Sequence, residues 1–140
     1  MTREEKDILM KDLCSRLPYG IKVQIKNEIV VLDSICDDDG YHFNFINGDR
    51  EGVNIEQIKP CLFPISSMTD EQKIKCFKGT PLEIDKYGDV SVKDDLYGNC
   101  QYTDLEIYLE VIDWLNAHHF DYRGLIKKGL AIDATNLNIY

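Results

Sequence analysis

The sequence predicts a single α+β domain, and three observations carry that expectation. Apolar residues recur at helical spacing at both ends of the chain, and they alternate with polar ones between residues 21 and 58. The hydrophobic fraction is 44% over 140 residues, enough to bury a core without cross-links. Turn-forming residues punctuate the strand-like region at short intervals.

The first element is a helix over Thr2 to Leu17. Thr2 and Glu5 have capping-box spacing, and Leu9, Leu13 and Leu17, with Met10 and Cys14 beside them, make one apolar stripe. Pro18 and Gly20 end it. Ile21, Val23 and Ile25 alternate with Lys22, Gln24 and Lys26 as a half-buried strand, turned by Asn27-Glu28. Ile29 to Cys36 is β-branched and suits a central strand. Asp37-Asp38-Asp39-Gly40 is turn chemistry, after which Tyr41, Phe43 and Phe45 alternate with His42 and Asn44. Asn47-Gly48 signals a hairpin loop, and Val53, Ile55 and Ile58 form a fourth strand stopped by Pro60. Four strands joined by short loops make an antiparallel meander, which on curling becomes an SH3-like small barrel.

Pro60 to Met68 reads as a crossing segment. Thr69 and Gln72 cap a short second helix, and Leu82 with Ile84 and Val90 with Val92 flank a turn as a small hairpin. Asp94 to Asn99 reads as loop. Thr103 and Glu106 cap the last helix, which runs to Ala117 or His118. Leu105, Tyr108, Leu109, Ile112 and Leu115 share a face widened by Ile107, Val111 and Trp114, so this helix is expected to be buried on most sides. A short turn at Lys127-Lys128-Gly129 and a docked tail, frayed over residues 136–140, complete the domain.

The formal charge is −9, with 16 basic against 25 acidic residues, which disfavours nucleic acid as a partner. Residues 36–70 carry −5 of it, at the expected hairpin tips. No stretch is apolar for the length that a membrane span or a secretory leader requires. Cys14, Cys36, Cys61, Cys76 and Cys100 are odd in number and never spaced as metal or redox pairs. They read as reduced, mostly buried small hydrophobes, and the expected location is cytoplasmic.

His118, His119, Asp121, Tyr122 and Arg123 form the one cluster of chemically versatile residues. Neighbouring helical positions diverge by about 100°, so the paired histidines do not chelate a metal there. A histidine beside Asp121 has the chemistry of an acid–base pair, but no Ser or Cys is placed as its nucleophile. The simpler reading is a helix end, with histidine near the dipole, Asp121 paired to Arg123, and Phe120 and Tyr122 packed inward. The same five side chains are the candidate binding surface.

An EF-hand built on Asp37-Asp38-Asp39-Gly40 fails, because its first and twelfth ligands would be Ile35 and Ile46. Phosphate-binding glycine loops, a nucleophile elbow and a zinc-protease helix are absent from the sequence. Glu106, Glu110 and Asp113 lie on one helix face without a partnering histidine and read as a solvated strip. No cofactor is expected.

Three stretches carry a resemblance: Met1-Thr-Arg-Glu-Glu-Lys-Asp through Leu17-Pro-Tyr-Gly, Lys59-Pro-Cys-Leu-Phe-Pro-Ile-Ser-Ser-Met-Thr-Asp-Glu, and Asp113-Trp-Leu-Asn-Ala-His-His-Phe-Asp-Tyr-Arg-Gly-Leu-Ile. They resemble the uncharacterised small proteins of gut Bacteroides-type bacteria and their phages and prophages. The resemblance spans about half the chain and leaves out residues 27–57 and 78–100. It implies a bacterial or phage cytoplasmic setting and transfers no residue role. The expected function is a non-enzymatic protein-interaction module of a mobile element, binding an unknown protein partner. The alternatives are a small hydrolase using His118 or His119 with Asp121, and an acidic mimic of nucleic acid. The oligomeric state is not written in the sequence.

Overall fold

The structure is a computed structural model that describes residues 1–47, 50–78, 80, 82–92 and 105–140. Helix α1 spans Arg3–Arg16 and opens with the expected capping box. The Thr2 hydroxyl accepts from the Glu5 N–H at 3.1 Å, and the Glu5 carboxylate accepts from the Thr2 N–H at 2.7 Å. A 3-10 turn over Leu17–Tyr19 and Gly20, at a φ of 66°, swing the chain into the sheet.

Strands β1 (Lys22–Ile25), β2 (Glu28–Asp37) and β3 (Tyr41–Phe45) are successive antiparallel neighbours. The β1–β2 turn is Lys26-Asn27, one residue earlier than expected, because Ile25 pairs with Glu28. Lys26 takes a left-handed φ of 57° there.

Strand β4 corrects the sequence reading in place and in partner. It runs Ile58–Pro64, so both prolines of the expected crossing segment lie within it. It pairs antiparallel with β1, Val23 opposite Pro60, and not with β3. The strand order is therefore β3-β2-β1-β4 and not a meander, and among the described residues no ladder joins β3 to the far edge of the sheet. The displaced start has a local cause. Asn54 and Gln57 form a further capping box around a 3-10 turn at Ile55–Gln57, which takes Ile55 out of the expected fourth strand and leaves Ile58 to begin β4.

A 3-10 turn at Ile65–Ser67 leads to α2 (Asp70–Phe77), capped by Thr69 and Gln72 as expected. Strands β5 (Leu82–Ile84) and β6 (Val90–Val92) form the small hairpin. Helix α3 spans Leu105–Ala117. The expected loop at 94–99, the cap at Thr103, Cys100, Gly48, Gly79 and Pro81 fall outside the described residues. Short strands β7 (Phe120–Asp121) and β8 (Ile132–Asp133) then pair in parallel with β4.

Two apolar clusters hold the molecule. One joins Leu9 and Leu13 of α1 to Val23, Ile25, Leu32, Phe43, Phe45, Ile58 and Leu62 of the sheet and to Leu125 and Leu130. The other joins Met68, Cys76 and Phe77 to Val111, Leu115 and Phe120. Each fully buried leucine contributes roughly 1.5–3 kcal/mol. Of the four described cysteines, Cys61 and Cys76 are buried, whereas Cys14 and Cys36 are exposed, and none forms a disulfide. No described helix is long and apolar enough to cross a membrane.

Helix α3 is not buried as expected. Val111 and Leu115 face the core, but Leu105 is 78% exposed, Leu109 63% and Ile112 37%. Helical periodicity identifies which residues share a face, while the rest of the fold decides which face is covered.

Candidate functional site

The His118–Arg123 cluster closes α3 and joins it to α1 and β4. The N–H of His118 reaches the Trp114 carbonyl at 3.0 Å, and that of His119 reaches Asn116 at 3.2 Å. His119 adopts a left-handed φ of 61°, the position after a helix that glycine commonly fills. The His118 ring is exposed, lies 3.9 Å from the Trp114 ring in a stack, and contacts the Trp114 carbonyl through Nδ1 at 2.8 Å.

His119 turns the other way and is buried. Its ring stacks on Tyr140 at 4.0 Å and 17°, and its Nδ1 has no hydrogen-bond partner among the described residues. Burial, reinforced by the positive charges of Arg16, His118 and Lys22, pushes its pKa down to about 4. Tyr140 is anchored in turn: its hydroxyl donates to the Cys61 carbonyl at 2.9 Å and accepts from the Lys22 N–H at 3.0 Å. The end of the tail is therefore docked, where fraying was expected.

Asp121 does not pair with Arg123. Its Oδ1 accepts the Leu125 N–H at 2.8 Å and its Oδ2 the Ile126 N–H at 2.9 Å, so the carboxylate caps the following turn. The Tyr122 hydroxyl donates to Asn116 Oδ1 at 3.0 Å. Arg123 lies 3.4 Å from Asp12, reaches Ser15, and stacks on Tyr122 with its guanidinium carbon 4.9 Å from the ring centre.

The group that organises this corner is a buried ion pair in α1. Asp12 and Arg16 are fully buried and joined by two hydrogen bonds, at 2.9 and 3.1 Å. Arg16 also donates to the Phe120 carbonyl at 2.7 Å and the Leu115 carbonyl at 3.4 Å. It thereby supplies a cation and donors where α3 leaves carbonyls open. The sequence reading missed both residues. Their spacing of four, an acid before a base in a helix, is the signal that marks them.

The five candidate side chains thus have separate tasks. Histidine, carboxylate and guanidinium are each engaged with different neighbours, and the side chain left to solvent is His118. Among the described residues no three histidine, cysteine or acidic side chains gather as metal ligands. Among the described residues, Leu105, Leu109 and Ile112 of α3 form an exposed aliphatic row, bordered by exposed Glu110 and Asp113. No family model matches this chain, and no curated protein or solved structure matches it either.

Proposed function

We propose that this protein is a non-enzymatic interaction module, an accessory protein of a bacterium or its phage acting in the cytoplasm, and that it binds a protein partner through the outer face of α3. One observation carries the reading: three large aliphatic side chains at helical offsets of four and three stand open to solvent. Their acidic border selects the partner's chemistry, an amphipathic helix whose apolar stripe is flanked by lysine or arginine.

The test uses labelled designed helices with a leucine stripe and either lysine or glutamate flanks, followed by fluorescence anisotropy. The lysine form is expected to bind, and Leu105→Ser with Leu109→Ser to weaken it about tenfold or more. Equal binding of the two peptides, or indifference to the leucine substitutions, would overturn the reading. Neither alternative has an observation of similar weight. The hydrolase needs an imidazole against Asp121, whose oxygens hold backbone N–H groups. The nucleic-acid mimic needs a broad acidic face, while −5 of the charge sits within residues 36–70.

A further inference from the structure

Strand β3 ends the sheet, with β2 as its ladder partner. Beside it lies a groove of about 660 Å³, lined by all five residues Tyr41–Phe45 and by Arg50–Asn54. Side chains of a strand alternate between faces, so a cavity lined by five consecutive residues runs along the backbone edge and not over one face.

The residues of this edge carry none of the sequence features that usually discourage added strands. Exposed edges in soluble proteins carry lysine, proline, inward charges or bulges. Tyr41-His42-Phe43-Asn44-Phe45 contains no charged residue and no proline, and the register irregularity of the hairpin falls at Leu32 and Ser34 on β2. Tyr41, at 55% exposure, leaves an aromatic surface at one end.

The dimensions select the occupant. Five residues of strand extend about 17 Å, so a 660 Å³ groove of that length has a cross-section of about 40 Å². That is room for one extended chain at the ordinary strand spacing of about 4.8 Å, with side chains to either side. A second copy of this protein would bring its own Arg50–Asn54 wall against the first, so a folded sheet edge does not enter. Charge selects further. Asp37, Asp38 and Asp39 are exposed at the start of β3, where the Asp38 carbonyl meets His42 Nε2 at 2.8 Å. Arg50 is neutralised by Glu28, leaving Glu51 as the net charge of the wall.

We propose that the outer edge of β3 is a strand-addition site, taking an extended segment of a partner protein that alternates apolar and polar residues and carries a lysine or arginine beside the Asp37–Asp39 turn. Main-chain hydrogen bonds supply affinity, and the acidic turn sets which end of the segment lies there. The site is separate from the α3 surface: a chain with Leu105→Ser and Leu109→Ser still takes the strand.

The experiment titrates a labelled Lys-Val-Thr-Val-Thr-Val-Lys peptide and two versions N-methylated on alternate residues, in opposite phase. A strand in a one-sided ladder uses every second N–H, so one phase is expected to lose about tenfold or more in affinity and the other to keep it. Amide exchange at Tyr41–Phe45 is expected to slow on binding. In Asp38→Lys the lysine peptide weakens and its glutamate twin improves. Equal loss in both phases, slowed exchange confined to other strands, or absence of saturation into the millimolar range would overturn the proposal.

Discussion

Helices α1 and α3 are similar in length and opposite in what they hide. Helix α1, over 14 residues, is largely polar, yet it buries Asp12 and Arg16 completely. Helix α3, over 13 residues, is largely apolar, yet it exposes Leu105 and Leu109. The difference is instructive because the two facts share a boundary. Arg16 is inside because the Leu115 carbonyl in the last turn of α3 and the Phe120 carbonyl of β7 both accept from it. Among the described residues, α3 packs against α1, α2 and β7, and its Leu105 and Leu109 remain exposed. A buried charge here marks a joint between elements, and the exposed leucine row is the face proposed for another molecule.

The largest expected effect comes from breaking the joint. Arg16→Leu strips both hydrogen bonds from the buried Asp12 and leaves it only the more distant Arg123, at 3.4 Å, so about 3–5 kcal/mol of stability should be lost. Urea denaturation at neutral pH reads this directly. The double variant Asp12→Leu with Arg16→Met removes both charges and should lose less than the single one. An Arg16→Leu midpoint equal to that of the parent would show that the pair does not hold α1 to α3.

His119 tests the same corner through pH. The unfolded imidazole titrates near 6.5 and the folded one near 4. Between those values the unfolded chain binds a proton that the folded chain refuses, so stability is full above pH 6.5 and falls until the pH reaches about 4. The shift corresponds to roughly 3 kcal/mol at most. His119→Asn tolerates the left-handed backbone and has nothing to titrate, so its urea midpoint should fall less over that window. Parallel pH profiles for the two proteins would remove His119 as the cause.

A smaller loss is expected from Asp121→Ala, which strips acceptors from the Leu125 and Ile126 N–H groups and should cost about 1–3 kcal/mol. Its distance from the expected Asp121–Arg123 pair shows how legible this region was. What the sequence made readable was local: the Thr2–Glu5 and Thr69–Gln72 boxes, strands β1 to β3, and the β5–β6 hairpin all depend on residues a few positions apart. The Asn54–Gln57 box has the same spacing but overlaps Val53 and Ile55, whose alternation reads as strand. Neighbour choice was not readable, since pairing β4 with β1 rather than β3 is a contest between distant segments. The His118–Arg123 cluster could be named because it is contiguous. Its partners could not, because Arg16 meets Phe120 across 104 positions and Tyr140 returns to Lys22 across 118.

The smallest expected change in stability is the sharpest test of the contrast between the helices. Leu9 and Leu109 are the same residue type on helices of similar length, the first fully buried and the second 63% exposed. Leu9→Ala removes packed methyl groups from the first cluster and should cost about 2–5 kcal/mol. Leu109→Ser removes a side chain already mostly in water, and the stability read by urea denaturation should change by no more than about 0.5 kcal/mol. It also takes apolar surface off the molecule, so solubility should rise while affinity for the lysine-flanked helix falls. A loss comparable with that of Leu9→Ala would mean that Leu109 is packed in solution against this chain or a second copy. The row would then belong to the core and not to a partner. Unchanged stability together with lost binding is the combination that only an interaction surface produces.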